Sequence, residues 1–360
     1  MELMAILKAA MAAKASDIHL TTGSPPLVRA LGSISELPGF PPVDAETCRR
    51  MILSLLYDAQ RARFEESLEL DCSIAIPGLS RFRINVLQQR GQMEAVFRVI
   101  PSAIPSPEFL GLGPVAMRLA DLPRGLVLVT GPTGSGKSTT LACMIEHINL
   151  NARKHIITIE DPIEYVYKSR RSVIRQREVG TDTRSFQEAL RRALRQDPDV
   201  LMVGEMRDAE TIALALTAAE TGHLCLATLH TSDAAQTVDR IVDVFPGSQQ
   251  QQVRVQLADS LKGVLSQVLV SRADGRGLIA ARELLLVTPA VSNLIREGKT
   301  HLIPNVIETS GKLGMHSMDK VLHELATRGI ISPAEAVSKA RDPLRVAGQP
   351  LAADLKAVLS

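Results

Sequence analysis

A glycine-rich octapeptide offers the most specific chemistry in this sequence. Residues 131–138 read GPTGSGKS, follow an apolar run at residues 126–130, and precede a helical pattern. Glycines in such a loop let backbone N–H groups approach phosphate oxygens, and the following helix adds a favourable dipole. The amine of Lys137 can reach the β- and γ-phosphates, and the hydroxyl of Ser138 can ligate Mg²⁺. The sequence therefore predicts a site for ATP and Mg²⁺. The residues expected to contact the nucleotide here are Gly131, Thr133, Gly134, Ser135, Gly136, Lys137, Ser138 and Thr139.

Hydrolysis of a bound nucleotide also needs carboxylates near the metal ion and near the attacking water. Glu205 follows an apolar run at residues 200–203, and Glu164 lies in the acidic run after residues 156–159. Because parallel sheets bind ligands at their carboxyl edge, we expect both carboxylates near the phosphate loop. Glu205, with Ser138, is the favoured Mg²⁺-linked group, and Glu164 is the leading water-activating group. Which of the two is the general base stays open at this point.

Histidines and arginines around the same runs could contact the γ-phosphate or its water. His223 and His230 flank the apolar run at residues 224–228, and His230 is the better placed of the two. An arginine-rich run at residues 184–195 is typical of a solvated or inter-subunit face, and part of it could contact phosphate. The expected catalytic residues are Lys137, Glu164, Glu205 and His230.

Short apolar runs alternate with helical stretches after residue 124, which is typical of a parallel sheet with crossover helices. The runs that predict strands are residues 126–130, 156–159, 200–203 and 224–228. Residues 249–269 carry apolar side chains at helical spacing, from Leu257 to Val268, and predict a packed amphipathic helix.

The pattern before residue 100 is different. A helical stretch at residues 4–15 precedes an extended run, and two alternating runs, 81–87 and 93–100, predict a β-hairpin. Prolines and glycines then crowd residues 101–114, where we expect no helix and no central strand. The predicted organisation is an N-terminal α/β domain at residues 1–100, a linker at 101–114, and an ATPase domain with a C-terminal helical region at 115–360.

Composition argues against several classes of protein. The 360 residues include 41 Lys and Arg against 39 Asp and Glu, and aromatic residues make up 3%. Nucleic-acid binders usually carry a basic excess and aromatic stacking platforms, so we expect no direct contact with nucleic acid. The 4 cysteines lack zinc-site spacing. Residues 1–20 lack the features of a signal peptide and no run is long enough to span a bilayer, so we expect a cytoplasmic protein that meets membranes only through partners.

Seven blocks of sequence occur in register along the chain. They are residues 15–20 (ASDIHL), 81–85 (RFRIN), 97–101 (FRVIP), 131–138 (GPTGSGKS), 159–164 (IEDPIE), 204–208 (GEMRD) and 221–231 (TGHLCLATLHT). Together they resemble the type IV pilus retraction ATPases of the secretion ATPase superfamily, over nearly the whole chain. The resemblance implies an α/β fold, with a PAS-like N-terminal domain followed by a RecA-like P-loop ATPase domain, assembled as a homo-hexamer. It also implies that ATP hydrolysis powers pilin depolymerisation, and therefore pilus retraction and twitching motility.

The resemblance assigns roles by position. Residues 160–164 correspond to the family's aspartate box, residues 204–208 to its Walker B block, and residues 222–230 to its histidine box. Arg83 and Arg98 match arginines that reach nucleotide phosphates from the N-terminal domain. Further candidate contacts are Arg207 and Arg240.

Partners and location also follow from the resemblance. It implies work at the cytoplasmic face of the inner membrane through a pilus platform protein, and it is compatible with a sister retraction ATPase as a further partner. Residues 290–297, AVSNLIRE, resemble the family's AIRNLIRE segment, with Val291 and Ser292 in place of Ile and Arg.

Three alternative functions are weighed against this interpretation. An assembly or secretion ATPase of the same superfamily generally carries an additional N-terminal domain and a tetracysteine zinc insert, and we expect neither in this protein. A nucleic-acid translocase is disfavoured by the neutral charge and the few aromatic residues. A nucleotide-binding regulator that hydrolyses poorly is disfavoured by Lys137, Glu164 and Glu205.

Overall fold

The computed structural model describes residues 2–30, 33–100 and 103–346. The chain divides into two compact units. The first comprises Met1–Ala103 and Pro162–Val166, and the second comprises Ile104–Asp161 and Tyr167–Ser360. Pro101, in the expected linker, and residues 347–360, in the expected ATPase domain, lie outside the described residues. No described helix has both the length and the apolar content to cross a membrane.

In the described part of the first unit, six antiparallel strands form one sheet in the order β3-β2-β1-β6-β5-β4, accompanied by three helices. The strands are β1 (Asp17–Leu20), β2 (Leu27–Ala30), β3 (Ser33–Glu36), β4 (Glu69–Ile76), β5 (Ser80–Gln89) and β6 (Gln92–Ile100), and the helices are α1 (Leu3–Ala12), α2 (Ala45–Leu53) and α3 (Asp58–Ser67). The hairpin expected from the alternating runs is the β5–β6 pair. Alternation along these strands buries Phe82 and Phe97, whose rings meet edge to face with centroids 6.4 Å apart.

Among the residues described from 104 onward, seven strands form a second sheet in the order β13-β12-β7-β11-β10-β8-β9. They are β7 (Gly125–Thr130), β8 (His155–Glu160), β9 (Val173–Glu178), β10 (Val200–Val203), β11 (Leu224–Leu229), β12 (Leu261–Ser271) and β13 (Leu278–Leu286). Only the pair β12–β13 is antiparallel among the pairings described. Every residue of β7, β10 and β11 is buried, as expected for parallel strands covered on both faces by helices. The four strands predicted from apolar runs are therefore present.

Helices connect these strands and pack around the sheet. They are α4 (Pro107–Leu110), α5 (Pro114–Arg118), α6 (Lys137–Asn151), α7 (Phe186–Ala193), α8 (Ala209–Glu220), α9 (Ala234–Asp243), α10 (Gly247–Ser260), α11 (Pro289–Arg296), α12 (Ile303–Thr309), α13 (Met318–Thr327) and α14 (Pro333–Lys339). The carboxylate of Asp208 accepts the backbone N–H of Thr211 at 2.9 Å, and that of Asp233 accepts the N–H of Gln236 at 2.8 Å. These caps fix where α8 and α9 begin, directly after the loops that follow β10 and β11.

The prediction of a helix over residues 249–269 is wrong for the second half of that segment. Helix α10 ends at Ser260, and β12 begins at the next residue, parallel to β7 and antiparallel to β13. A strand buried on both faces is almost continuously apolar, so apolar spacing alone does not separate it from a buried helix. Pairing with two neighbouring strands satisfies the backbone of this segment, and that tertiary contact decides its conformation.

The expectation that residues 101–114 contain no helix is wrong as well. The one-turn helix α4 and the short helix α5 both begin at a proline. Proline is well suited to the first helical position, because the N–H that it lacks would have no partner there. The hydroxyl of Ser106 accepts the N–H of Phe109 at 3.2 Å and caps α4. Prolines in this segment therefore start helices rather than prevent them.

Candidate nucleotide site

The phosphate loop joins the buried strand β7 to helix α6. Gly131 has φ +144°, and a Cβ at this position would lie 2.2 Å from the carbonyl oxygen of Gln267, so only glycine fits. Gly136 is the N-cap residue of α6 in the left-handed region, with φ +86°. The loop thus turns tightly, and the N–H groups of the first turn of α6 have no partner within the helix. Such groups form a natural binding site for phosphate.

Lys137 is the first residue of α6 and is 8% exposed. Its Nζ donates hydrogen bonds to the carbonyl oxygens of Gly131, at 2.8 Å, and Pro132, at 3.0 Å. These bonds hold the ammonium against the loop from which it would contact nucleotide phosphates. Ser138 and Thr139 follow on the same helical turn and are half-buried.

Glu205 lies one residue beyond Gly204, where the chain continues alongside the end of β11. The backbone N–H of Met206 donates to the carbonyl of Thr228 at 3.1 Å, which fixes the path of this loop. The Oε1 atom of Glu205 lies 2.7 Å from Nε of Arg207. Burial raises the pKa of Glu205, but the contacts with Arg207 and His230 outweigh burial, and the pKa lies below its ordinary value. Glu205 is therefore ionised at neutral pH.

His230 connects Glu205 to the phosphate loop. Its Nε2 lies 3.2 Å from Oε1 of Glu205, and its Nδ1 lies 3.5 Å from Nζ of Lys137. A proton on Nε2 would be donated to the carboxylate, leaving Nδ1 as an acceptor that faces the ammonium. The structure therefore brings three of the expected catalytic residues, Lys137, His230 and Glu205, into one chain of contacts.

The fourth expected catalytic residue, Glu164, belongs to a different unit. It is exposed in the segment Pro162–Val166, which is part of the first unit, whereas Glu205 is part of the second. The neighbouring Glu160 ends β8 and is buried. Its Oε1 accepts hydrogen bonds from the hydroxyl of Thr158 at 2.6 Å and from Nε2 of Gln176 at 3.1 Å, so it helps to hold the edge of the sheet.

Two other candidates lie elsewhere on the second unit. His223 precedes β11, at the opposite end of the strand from His230, and its Nδ1 lies 2.9 Å from the carbonyl of Ala218 in α8. That contact closes the end of a helix, which is a structural role. Arg240 is exposed in the last turn of α9.

The two arginines of the first unit lie directly opposite each other. Arg83 on β5 pairs in register with Arg98 on β6. Nε of Arg98 lies 2.8 Å from Oδ1 of the buried Asp17, and the Arg83 guanidinium is 4.0 Å from Asp71. Two positive charges at opposed positions destabilise a sheet unless negative charge lies nearby. The carboxylates of Asp17 and Asp71 supply part of that negative charge.

The oxygen atoms available at the loop fit Mg²⁺. Mg²⁺ prefers hard oxygen ligands and usually keeps several waters, with one or two protein side chains and phosphate oxygens completing its shell. The hydroxyl of Ser138 and the carboxylate of Glu205 are ligands of that kind. Across residues 2–30, 33–100 and 103–346, no group of three or more His, Cys, Asp or Glu residues forms a self-sufficient metal site. The residues whose oxygen atoms would hold this ion are Ser138 and Glu205.

Sequence reasoning missed the residue that supports the loop from the neighbouring strand. Gln267 on β12 is 1% exposed, and its Nε2 donates to the carbonyl of Ser135 at 2.7 Å. Its Oε1 accepts the hydroxyl of Thr140, on α6, at 2.8 Å. The signal that could have revealed it is the polar pair Ser266 and Gln267 in an otherwise apolar run. Assigning that run to a helix hid this signal.

Comparison with known proteins adds to this geometry. The family model described as Type II/IV secretion system protein matches residues 1–278. The chain belongs to the type II/IV secretion system protein family. The α/β fold with an N-terminal domain followed by a RecA-like ATPase domain, expected from the sequence, is confirmed.

Members of this family that resemble the chain include proteins of pilus retraction. The chain is 51% identical over 329 residues to the type IV pilus retractation ATPase PilT of Pseudomonas aeruginosa, covering 91% of this chain and 95% of that protein. It is 48% identical over 335 residues to a twitching motility protein of Neisseria gonorrhoeae, covering 91% of this chain and 89% of that protein. The resemblance to retraction ATPases that the sequence blocks indicated is therefore confirmed.

Solved structures also resemble this chain. The crystal structure of the pilus retraction motor PilT with bound ADP matches with a TM-score of 0.90 and 46% identity, covering 95% of this chain and 98% of that one. The Legionella pneumophila ATPase DotB matches with a TM-score of 0.79 and 28% identity, covering 93% of this chain and 95% of that one.

Proposed function

We propose that this protein is a homo-hexameric motor that hydrolyses ATP at residues 131–138 to power type IV pilus retraction and twitching motility. The observation that carries the proposal is the contact chain from Lys137 through His230 to Glu205 beside the phosphate loop. The comparisons support the proposal, because the chain spans 95% of the retractation ATPase PilT of Pseudomonas aeruginosa at 51% identity.

The phosphate loop and the side chains expected around the nucleotide have separate roles in this proposal. Backbone N–H groups of the loop hold the phosphates, and Lys137 neutralises charge on the β- and γ-phosphate oxygens during transfer. Ser138 and Glu205 hold Mg²⁺, which when bound supplies further neutralisation of phosphate charge. His230 keeps the Glu205 carboxylate oriented next to Lys137. Glu164 or Glu205 orients the attacking water.

Arg83 and Arg98 are proposed to bind nucleotide phosphates from the first unit. Their opposed positions on β5 and β6 concentrate positive charge, which favours an anionic ligand. Attraction to phosphate charge would then draw the two units together and release them after hydrolysis. Such closure of domains around a ligand is a common way to convert binding into motion.

The partners and location are part of the same proposal. The ring would act at the cytoplasmic face of the inner membrane on a pilus platform protein, and a sister retraction ATPase is a compatible second partner. Direct binding of nucleic acid is not part of the proposed function, because the net charge is +2 and aromatic residues make up 3% of the chain.

Hydrolysis by an assembled ring can be tested by measuring ATPase rate against protein concentration, with sizing in the presence and absence of Mg²⁺ and ATP. We expect the specific rate to rise as the protein assembles into a ring of about six subunits, since Arg83 and Arg98 of one subunit would complete the nucleotide site of its neighbour. The Glu205→Ala variant should assemble without hydrolysing ATP. Robust hydrolysis by a monomer would contradict the motor proposal.

A second candidate function is assembly or secretion rather than retraction, because the family includes secretion proteins and DotB shares the fold at a TM-score of 0.79. The two functions have opposite effects on surface pili. Deleting the gene in the producing organism should leave abundant pili and abolish twitching if the protein retracts them. Complementation with wild type, but not with Lys137→Ala, should restore twitching. Loss of all surface pili after deletion would favour the assembly function.

A further inference from the structure

A chain of buried polar side chains runs from the phosphate loop to the segment that begins the second unit. Gln267 lies at its centre, with Nε2 2.7 Å from the carbonyl of Ser135 and Oε1 2.8 Å from the hydroxyl of Thr140. Arg282 on β13 is 7% exposed, and its Nε lies 3.5 Å from Oε1 of Gln267. On its other side, Nη1 of Arg282 donates to the carbonyl of Leu110 at 2.7 Å.

The bond to Ser135 controls a group that would face the nucleotide. The carbonyl of Ser135 and the N–H of Gly136 belong to one planar trans peptide, so they point in opposite directions. By holding the carbonyl, Gln267 sets the direction of the Gly136 N–H in the loop that would receive phosphate. A Cβ on Gly136 would lie 3.2 Å from Nε2 of Gln267, which shows how closely the two residues pack. Gln267 is thus placed to orient a phosphate-binding N–H group.

The guanidinium of Arg282 is a buried positive charge, and burying it is unfavourable in free energy. Burial lowers its pKa to about 10, so the guanidinium is still protonated at neutral pH. Its donors bind the side chain of Gln267 and the carbonyl of Leu110, which ends helix α4. Desolvating a charge is unfavourable unless hydrogen bonds compensate. The hydrogen bonds from Arg282 to Gln267 and to Leu110 therefore both need to be maintained. A displacement of Gln267 would therefore be transmitted to Leu110.

We propose that Gln267 and Arg282 are positioning residues that couple nucleotide binding at the phosphate loop to the order of helix α4. The inference rests on the proposed nucleotide binding at residues 131–138. Phosphate that engages the Gly136 N–H stabilises the bonded orientation of the Ser135 peptide, and Gln267 and Arg282 carry that stabilisation to Leu110. Helix α4 begins three residues after Ile104, where the second unit starts.

Fluorescent-ADP titration of the full-length chain tests the first half of this coupling. Gln267→Met and Gln267→Glu both remove the donor to Ser135, so the Gly136 N–H is no longer held in its binding direction, and we expect each to weaken ADP binding by about tenfold, the scale of one lost hydrogen bond. Gln252→Glu, on an exposed site of α10, is the matched control and should bind like wild type. Normal affinity in Gln267→Met would overturn the role of Gln267, because an electrostatic effect alone would appear only in Gln267→Glu.

Hydrogen exchange with and without ADP·Mg²⁺ tests the second half, measured on peptides that span residues 106–118. In wild type, ADP should slow exchange of the Leu110, Gly111 and Leu112 amides, which donate within and after α4. Arg282→Met should still bind ADP within about threefold of wild type but lose this ADP-dependent slowing. Arg282→Lys, which keeps the charge but has a single donor nitrogen, should retain part of the slowing and serves if the Met variant is unstable.

The exposed Arg276→Met, in the turn of the same hairpin, is the matched control and should behave as wild type. A merely structural role for Arg282 would raise exchange equally with and without ADP, and that outcome would overturn the coupling. ADP-dependent slowing that persists in Arg282→Met would overturn it too. Wild-type protein that fails to bind ADP would instead contradict the proposed function, and this failure is visible in the titration before any variant is compared.

Discussion

The Nε2 atom of His230 lies 3.2 Å from Oε1 of Glu205. The two residues are 25 positions apart in the sequence but follow adjacent parallel strands, β10 and β11, in which Val203 pairs with Ala227. Parallel strands end at the same edge of a sheet, so the residues that follow them meet there.

Replacing Glu205 by Gln should separate nucleotide binding from turnover. The amide keeps the size of the side chain but removes the charge, so ADP affinity should stay close to wild type while ATP turnover falls by at least ~10²-fold. Steady-state ATPase assays with ADP titration measure both. Glu210→Gln, which alters an exposed carboxylate in α8 that is paired with Arg191, is the control. Turnover within a few-fold of wild type would rule out the role of Glu205.

Replacing Arg207 by Met should move the acidic limb of the turnover profile to higher pH. The pKa of Glu205 lies below its ordinary value because its contacts with Arg207 and His230 outweigh burial. Without Arg207, burial acts with less opposition and the pKa rises, so the active carboxylate is lost sooner as pH falls. kcat measured across the acidic range reports the shift. An acidic limb that does not move would mean that another group controls it.

Replacing Arg83 by Ala should lower ATP turnover while leaving nucleotide binding by the phosphate loop nearly unchanged. We expect nucleotide binding at concentrations below ring assembly to stay nearly unchanged, because residues 131–138 are intact, while the ATPase rate of the assembled protein falls. Arg63→Ala, on the exposed face of α3, is the matched control. An assembled protein with the wild-type rate would exclude a role of Arg83 in contacting phosphate.

Most of the cysteine thiols should react slowly with thiol reagents while the protein is folded. Burial raises the pKa of Cys143 to about 11 and that of Cys225 to about 12, and it also raises the pKa of Cys48. Thiolate is the reactive form, so these three should react slowly, and of the 4 cysteines only the half-buried Cys72 should react quickly. Ellman's reagent before and after denaturation measures this, and Cys72→Ser should remove the fast phase. Fast reaction of a second thiol would show that the core opens.

Much of the ATPase site is readable from the sequence because its signals are local. A strand, a glycine-rich loop and a helix are consecutive at residues 126–151, and the spacing of their residues alone predicts the site. The meeting of Glu205 and His230 follows from one further rule, the common carboxyl edge of parallel strands.

The support from Gln267 could not be predicted, because it depends on a non-local pairing. Strand β12 lies beside β7, and its register places Ser266 opposite Thr130, more than a hundred positions away in the sequence. Apolar spacing over residues 261–268 fits a helix as well as a buried strand, and only the pairing decides between them. The membership of Glu164 in the first unit is likewise a tertiary fact that no local pattern carries.

The most direct measurement is the rate of ATP hydrolysis by purified wild type and Lys137→Ala, each with Mg²⁺ and with nucleotide binding measured in parallel. Nζ of Lys137 is held 2.8 Å from the carbonyl of Gly131 and 3.5 Å from His230, so its removal takes away the charge at the centre of the site. The proposed role of Lys137 predicts hydrolysis by wild type and loss of nucleotide binding or turnover in the variant. Hydrolysis at the wild-type rate by Lys137→Ala would contradict it.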